Sequence, residues 1–248
     1  MSYKYILNPK HTSFKEHLLN IQTIFQSSDK SIHKARNELK IIKIDGTKYV
    51  IKSFKTPHLL NRFVYSFVRD SKAKKSYLNA QKLQKLAINT PEPIGVIEFF
   101  EKGLLGESYF VSLYEAYDFT IREVFHHKVE DREKILKEFA AFTYELHKKG
   151  VWHVDYSLGN ILITKLPNGD YRFSLVDINR MHFKTITPQE GLQNFNKFWA
   201  KEEDLAFLVK EYVKLSSLEF APSFEIVQKS VKKIQKQKEL KNYLKNKR

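Results

Sequence analysis

The chain has 248 residues, 42% of them hydrophobic and 14% aromatic, with 43 Lys and Arg against 28 Asp and Glu, a formal net charge of +15. That length and apolar content can bury a sizeable core, as one large domain or two small lobes. No apolar run reaches the roughly eighteen residues needed to span a membrane, residues 1–10 lack the apolar core of a signal peptide, and with no cysteine disulfide scaffolds, thiolate catalysis and thiolate metal sites are excluded, in keeping with a reducing compartment.

In chain order, residues 39–44 and 48–52 read as the strands of a hairpin around Asp45-Gly46, a dipeptide that accepts positive φ. Lys52 ends the second strand, as does the lysine that touches the ATP phosphates in kinases. No Gly-x-Gly-x-x-Gly loop precedes it. The corresponding segment, residues 26–32, holds no glycine, so side chains would cover the phosphates. A helix is expected over residues 71–87, with Ala73, Tyr77, Ala80, Leu83 and Leu86 on one face and lysines opposite. Pro91 and Pro93 stop it. Residues 94–100 and 108–114 follow as strands of an N-terminal sheet, and residues 114–118 stand where a hinge between lobes would fall. A second helix is expected over residues 131–149. Asp131 is its N-terminal acid, Ile135, Phe139, Phe142 and Leu146 its buried stripe, and Gly150 its stop. His147 on this helix reads as a packed side chain.

The next stretch carries the chemistry. His153-Val154-Asp155-Tyr156-Ser157-Leu158-Gly159-Asn160 has the spacing His-x-Asp-x-x-x-x-Asn, and Asp177 lies seventeen residues further on. Residues 161–164 and 171–176 read as strands joined at Asn168-Gly169, a hairpin that carries Asn160 at one end and Asp177 at the other. The spacing fits a phosphoryl-transfer loop. One carboxylate orients the acceptor hydroxyl and takes its proton; an amide oxygen and a second carboxylate hold the magnesium that bridges the ATP phosphates. The transition state is loose and highly charged, so positioning and charge neutralisation supply most of the rate. Asp155 is therefore the candidate base, Asn160 and Asp177 the candidate metal ligands, and Lys52 the candidate phosphate ligand.

Further helices are expected over residues 194–199 and 205–215, with Phe195, Phe198, Trp199, Leu205, Leu208 and Tyr212 in the core. From Gln228 to Arg248, eight Lys and one Arg stand against Glu239 alone, a surface suited to polyanions such as anionic lipid or a phosphorylated substrate. Val227, Val231 and Ile234 give this segment an apolar helical stripe. Charge without a recognition helix, zinc site or RNA-binding aromatic motif makes nucleic acid an unlikely partner.

Residues 50–55, 71–94, 153–163 and Val176-Asp177-Ile178-Asn179-Arg180-Met181 together resemble the lipopolysaccharide core (Kdo) kinases, Bacteroidetes type, of the protein-kinase-like superfamily; the Thr-Pro-Glu-Pro and Asp-Ile-Asn-Arg-Met elements point to this group. The resemblance spans roughly residues 35–200. It implies an α+β, protein-kinase-like two-lobe fold, with a small β-rich N-lobe over residues 1–115 and a larger, mainly helical C-lobe over residues 116–248. It also implies ATP- and magnesium-dependent phosphorylation of a Kdo hydroxyl on Kdo-lipid A by a cytoplasmic enzyme held peripherally at the inner membrane, the Lys-rich C-terminus being one contact with that anionic surface. Asp155, Asn160, Asp177 and Lys52 take the roles above, and His153 that of a scaffold. The sequence departs from the kinase pattern at Val154, where many protein kinases have Arg, and at Asp177-Ile178-Asn179 in place of Asp-Phe-Gly. The helix over residues 71–87 has no acid to pair with Lys52, which leaves Glu92 and Glu98 as candidates. A kinase of another acceptor (RIO-like or small-molecule) and an impaired pseudokinase remain the alternatives.

Overall fold

A computed structural model describes residues 2–28, 31–34, 37–198 and 200–246. The chain divides into two compact units, Met1–Ala116 with Asp177–Asn179, and Tyr117–Val176 with Arg180–Arg248.

The first unit is built on a six-stranded antiparallel sheet of β1 (Ser2–Leu7), β2 (Ser31–Lys34), β3 (Asn37–Ile44), β4 (Thr47–Phe54), β5 (Pro93–Glu101) and β6 (Leu104–Leu113), in the order β1-β5-β6-β4-β3-β2. The β3–β4 hairpin turns at Asp45 and Gly46, both at positive φ, with Ile44 opposite Thr47. This two-residue turn matches the right-handed twist of its strands. The N-terminal strand and the elements after it were not legible as such. A 3₁₀ segment Pro9–Phe14, α1 (Lys15–Leu19) and α2 (Ile21–Gln26) place Phe14, Leu18, Ile21 and Phe25 at helical spacing, and these pack with Ile51, Ile94, Ile97, Phe99, Tyr109 and Val111 as the core of this unit. Two helices follow β4. The first, α3 (Leu59–Phe67), buries none of its residues. The second, α4 (Lys72–Lys85), is capped by the Ser71 hydroxyl accepting from the Lys74 amide at 3.0 Å. It buries Ala73, Tyr77, Ala80 and Leu83 of the expected stripe, whereas Leu86 lies at its C-terminal cap and is only half-buried.

The second unit contains β7 (Phe119–Thr120), α5 (Ile121–His126), α6 (Arg132–Lys148), β8 (Val151–His153), β9 (Ile161–Lys165), β10 (Tyr171–Leu175), β11 (Met181–Phe183), α7 (Pro188–Leu192), α8 (Glu202–Ser216) and α9 (Phe220–Asn246). Helix α6 buries Ile135, Phe139 and Leu146, and its end is marked by Gly150 at φ +71. A Cβ there would lie 2.7 Å from the Lys184 carbonyl oxygen, so only glycine fits. Asp131 differs from expectation. It precedes α6 in a left-handed conformation and makes no capping bond; its carboxylate accepts instead from the Tyr171 hydroxyl at 3.2 Å. The helix expected over residues 194–199 is a 3₁₀ segment, Gln193–Lys197, continuing from α7. Phe195, Phe198, Leu205, Leu208 and Tyr212 are buried as expected, whereas Trp199 lies outside the described residues. Among the described residues no helix is long and apolar enough to cross a membrane.

Candidate active site

The expected β9–β10 hairpin forms, with Tyr171 opposite Lys165 and Leu175 opposite Ile161. Its base is closed by the Val176 amide donating to the Asn160 carbonyl at 3.0 Å, and Val176 is the residue that leads into Asp177. The loop before β9 is held from below by aromatic packing. Tyr156 is fully buried, its ring centroid 6.0 Å from that of Phe139 and 5.6 Å from that of Phe198. Thr143 donates to the Phe139 carbonyl at 2.8 Å, so at the 2.8 Å contact between the two hydroxyls Tyr156 is the donor.

His153 is fully buried and is a scaffold residue. Its Nδ1 accepts from the Asp155 amide at 3.1 Å, so the proton is on Nε2, which donates to the Val176 carbonyl at 3.1 Å. A second chain of buried polar groups fixes the strand behind it. The Asn194 amide nitrogen donates to the His153 carbonyl at 3.1 Å, and the Asn194 oxygen then accepts from His147 Nε2 at 3.0 Å. His147 Nδ1 in turn accepts from the Tyr212 hydroxyl at 3.0 Å. Burial holds the His147 pKa down to about 4, the neutral form this chain of bonds requires.

The Asp155 carboxylate meets Lys197, whose ammonium donates to Asp155 Oδ1 at 3.0 Å and to the Val154 carbonyl at 2.6 Å. Burial pushes the Asp155 pKa up, but the Lys197 hydrogen bond and charge, with the charge of Arg180, outweigh it and hold the carboxyl below its ordinary value. The Asn160 side-chain nitrogen donates to the Asp155 carbonyl at 2.9 Å, which leaves its oxygen as the end able to meet a cation. Over this loop lies an open pocket of about 680 Å³. Asp155 and Ser157 stand in it beside Arg122 and Lys197, while Ile234, Gln237 and Lys238 of α9 form a wall. Arg122 lies along the loop itself: a Cβ on Gly159 would come within 2.8 Å of its guanidinium.

In the first unit Lys52, buried on β4, forms an ion pair with Asp177. Neither expected carboxylate takes that place. Glu92 pairs with His11 at 3.0 Å, and α4 carries no acid, as its sequence implies. Asp177 adopts φ +54, a conformation Asp tolerates better than most residues, and its Oδ1 also accepts from the Asn179 side chain at 2.9 Å. Asn79 of α4 donates to the Ile178 carbonyl at 2.7 Å. Lys52 and Asp177 are thus one pair, Asp155 and Asn160 another. Lys197, Arg122 and Asn79 are not singled out by the sequence, since a lone Lys, Arg or Asn outside a motif carries no signal of its own; Asn179 belongs to the Asp-Ile-Asn-Arg-Met element, but its bond to Asp177 is not legible there. Residues 26–32, expected near the phosphates, fall partly outside the described residues.

These two units, a small antiparallel sheet with helices and a mainly helical body carrying the His-x-Asp loop, define a protein-kinase-like fold. No protein-family model matches the sequence, and no curated protein matches it. Among solved structures the chain is similar to WaaP in complex with acyl carrier protein, with a TM-score of 0.61 at 15% identity over 93% of this chain and 98% of that one. Weaker likenesses are to WbdD with a kinase inhibitor, TM-score 0.45 at 16% identity over 81% of this chain and 44% of that one, and to a Stt7 homolog from Micromonas algae soaked with ATP, TM-score 0.40 at 15% identity over 62% and 49%.

Proposed function

We propose that the chain is an ATP-dependent phosphotransferase that phosphorylates a hydroxyl of an acidic sugar, Kdo of the lipopolysaccharide inner core. The observation that carries this reading is Asp155: a carboxylate hydrogen-bonded to Lys197 at 3.0 Å and lining a pocket whose rim is cationic at Arg122, Lys197 and Lys238. A base held ionised serves a hydroxyl acceptor, and a cationic rim serves an acceptor that is itself an anion. The resemblance of the sequence motifs to the lipopolysaccharide core kinases supports the choice of acceptor, and the likeness of the fold to WaaP supports the kinase-like frame.

In this reading the acceptor oxygen attacks the γ-phosphorus of ATP, the bond to the β-phosphate oxygen breaks, ADP leaves, and the acceptor proton passes to Asp155 Oδ2 while Oδ1 stays on Lys197. Lys52 moves from Asp177 to the α- and β-phosphates. Asp177 and Asn160 offer hard oxygen donors of the kind magnesium takes. Among the described residues no cluster of three His, Cys, Asp or Glu forms a metal site by itself, so phosphate oxygens and water would complete the shell. Magnesium held by such oxygens would neutralise charge on the transferring phosphoryl group. Incubation with labelled ATP, magnesium and Kdo-lipid A tests the acceptor. Label on the lipid supports the reading. Label only on protein or on a neutral sugar refutes Kdo, and transfer to nothing refutes the phosphotransferase.

A further inference from the structure

Helix α3 is amphipathic in the wrong sense for a helix packed on a sheet. The residues it turns towards β6 are polar: Arg62 Nε donates to the Leu105 carbonyl at 2.8 Å, the Ser66 hydroxyl accepts from the Leu105 amide at 2.8 Å, and Arg62 also reaches Glu101 at 3.0 Å. Its apolar residues point away. Leu59 is 69% exposed, Leu60 84%, Phe63 56% and Phe67 66%, with Val68 just beyond at 68%. On a helix, positions 59, 60, 63 and 67 fall within an arc of about 100°, and the Phe63 and Phe67 rings are 5.0 Å apart. Such a stripe in water needs a partner.

We infer that α3 is a membrane-docking helix that lies in the headgroup region of an anionic lipid surface with Leu60, Phe63 and Phe67 inserted. The charges around it select this occupant. Lys55, Arg62, Arg69, Lys72, Lys74 and Lys75 outnumber the two acids beside them, Asp70, paired with Lys74 at 2.6 Å, and Glu101, paired with Arg62 at 3.0 Å. An apolar stripe with cations at its flanks is the pattern of a helix lying in an anionic interface. A second copy of the chain would bring like-charged borders together. The inference concerns a lipid surface alone and does not depend on the acceptor.

The absence of native cysteine permits a direct test. Leu60→Cys and Asn61→Cys, each carrying a polarity-sensitive fluorophore, are mixed with phosphatidylglycerol-containing and with pure phosphatidylcholine vesicles that hold no glycolipid. The label at position 60 shifts to the blue on the anionic vesicles and the label at position 61 stays aqueous. Leu60→Glu with Phe63→Glu, on a helix that buries neither residue, lowers vesicle affinity at least tenfold without changing the thermal midpoint. Vesicle binding with no shift at position 60 would move docking to another surface, such as the Lys-rich C-terminus. No vesicle binding, or a shift caused only by an acidic protein, would overturn the membrane as the occupant.

Discussion

At the scale of single residues the proposed chemistry rests on Asp155 and its contact with Lys197. With burial pushing the carboxyl pKa up and Lys197 pulling it down, the two effects separate on substitution. In Lys197→Met the acid limb of the pH–rate profile moves to higher pH, because the deprotonated base is lost as pH falls through a pKa now governed by burial. Turnover at neutral pH falls about tenfold or more, as for loss of a group that positions a base. A profile superimposable on wild type would show that Lys197 does not act through Asp155. Lys238 gives a different signature. Lys238→Glu raises KM for an anionic acceptor about tenfold with kcat little changed, since it removes binding common to ground and transition states; an effect on kcat alone would contradict its place on the pocket wall.

Between elements, the bond chain from α8 through α6 to the loop at β8 is where stability and site geometry meet. His147 has its pKa lowered to about 4 from 6.5, so the unfolded chain binds its proton at higher pH than the folded one. The stability this neutral His contributes is present above pH 6.5 and is lost as pH falls towards 4, on the order of 3 kcal/mol. Urea titrations from pH 7 to pH 4 will show a flatter pH dependence in His147→Gln than in wild type; parallel curves would contradict the assignment. Tyr156→Phe removes the hydrogen bond to Thr143 and costs about 1 kcal/mol, again read from urea midpoints. These elements also show what the sequence could carry. Helices α4, α6 and α8 and the two hairpins were legible because their apolar periods and Asp-Gly or Asn-Gly turns are local signals. The relay of His147, Asn194 and Tyr212 was not, since it joins residues 47 and 65 positions apart. Asp131 looked like a cap, but tertiary competition from Tyr171 took its carboxylate. Residues 2–26 carried a helical stripe at Phe14, Leu18, Ile21 and Phe25 that is legible only once it is counted.

Across the whole molecule, the motif residues were the readable part of the site and the residues that shape it were not. Asp155, Asn160 and Asp177 announce themselves by spacing; Arg122, Lys197 and Lys238 come to the pocket from three distant stretches of a chain already rich in cations. The C-terminal helix is accordingly divided in role. Val227 is fully buried and Ile234, Gln237 and Lys238 wall the pocket, whereas Leu240, Tyr243 and Leu244 are exposed. Removal of residues 225–248 therefore lowers both the thermal midpoint and turnover, and removal of residues 241–248 lowers neither. Equal effects of the two truncations would contradict this division.

The central claim, phosphoryl transfer with Asp155 as the base, is tested most directly by comparing wild type with Asp155→Asn in magnesium and labelled ATP, measuring nucleotide affinity and phosphate transfer to Kdo-lipid A on the same preparations. Transfer falls by a factor of at least about 10² to 10⁴, the range general base catalysis supplies, with ATP affinity and thermal midpoint within about twofold and a few degrees of wild type. An Asp155→Asn protein that transfers phosphate at near wild-type rate would remove Asp155 from the chemistry and the proposed mechanism with it.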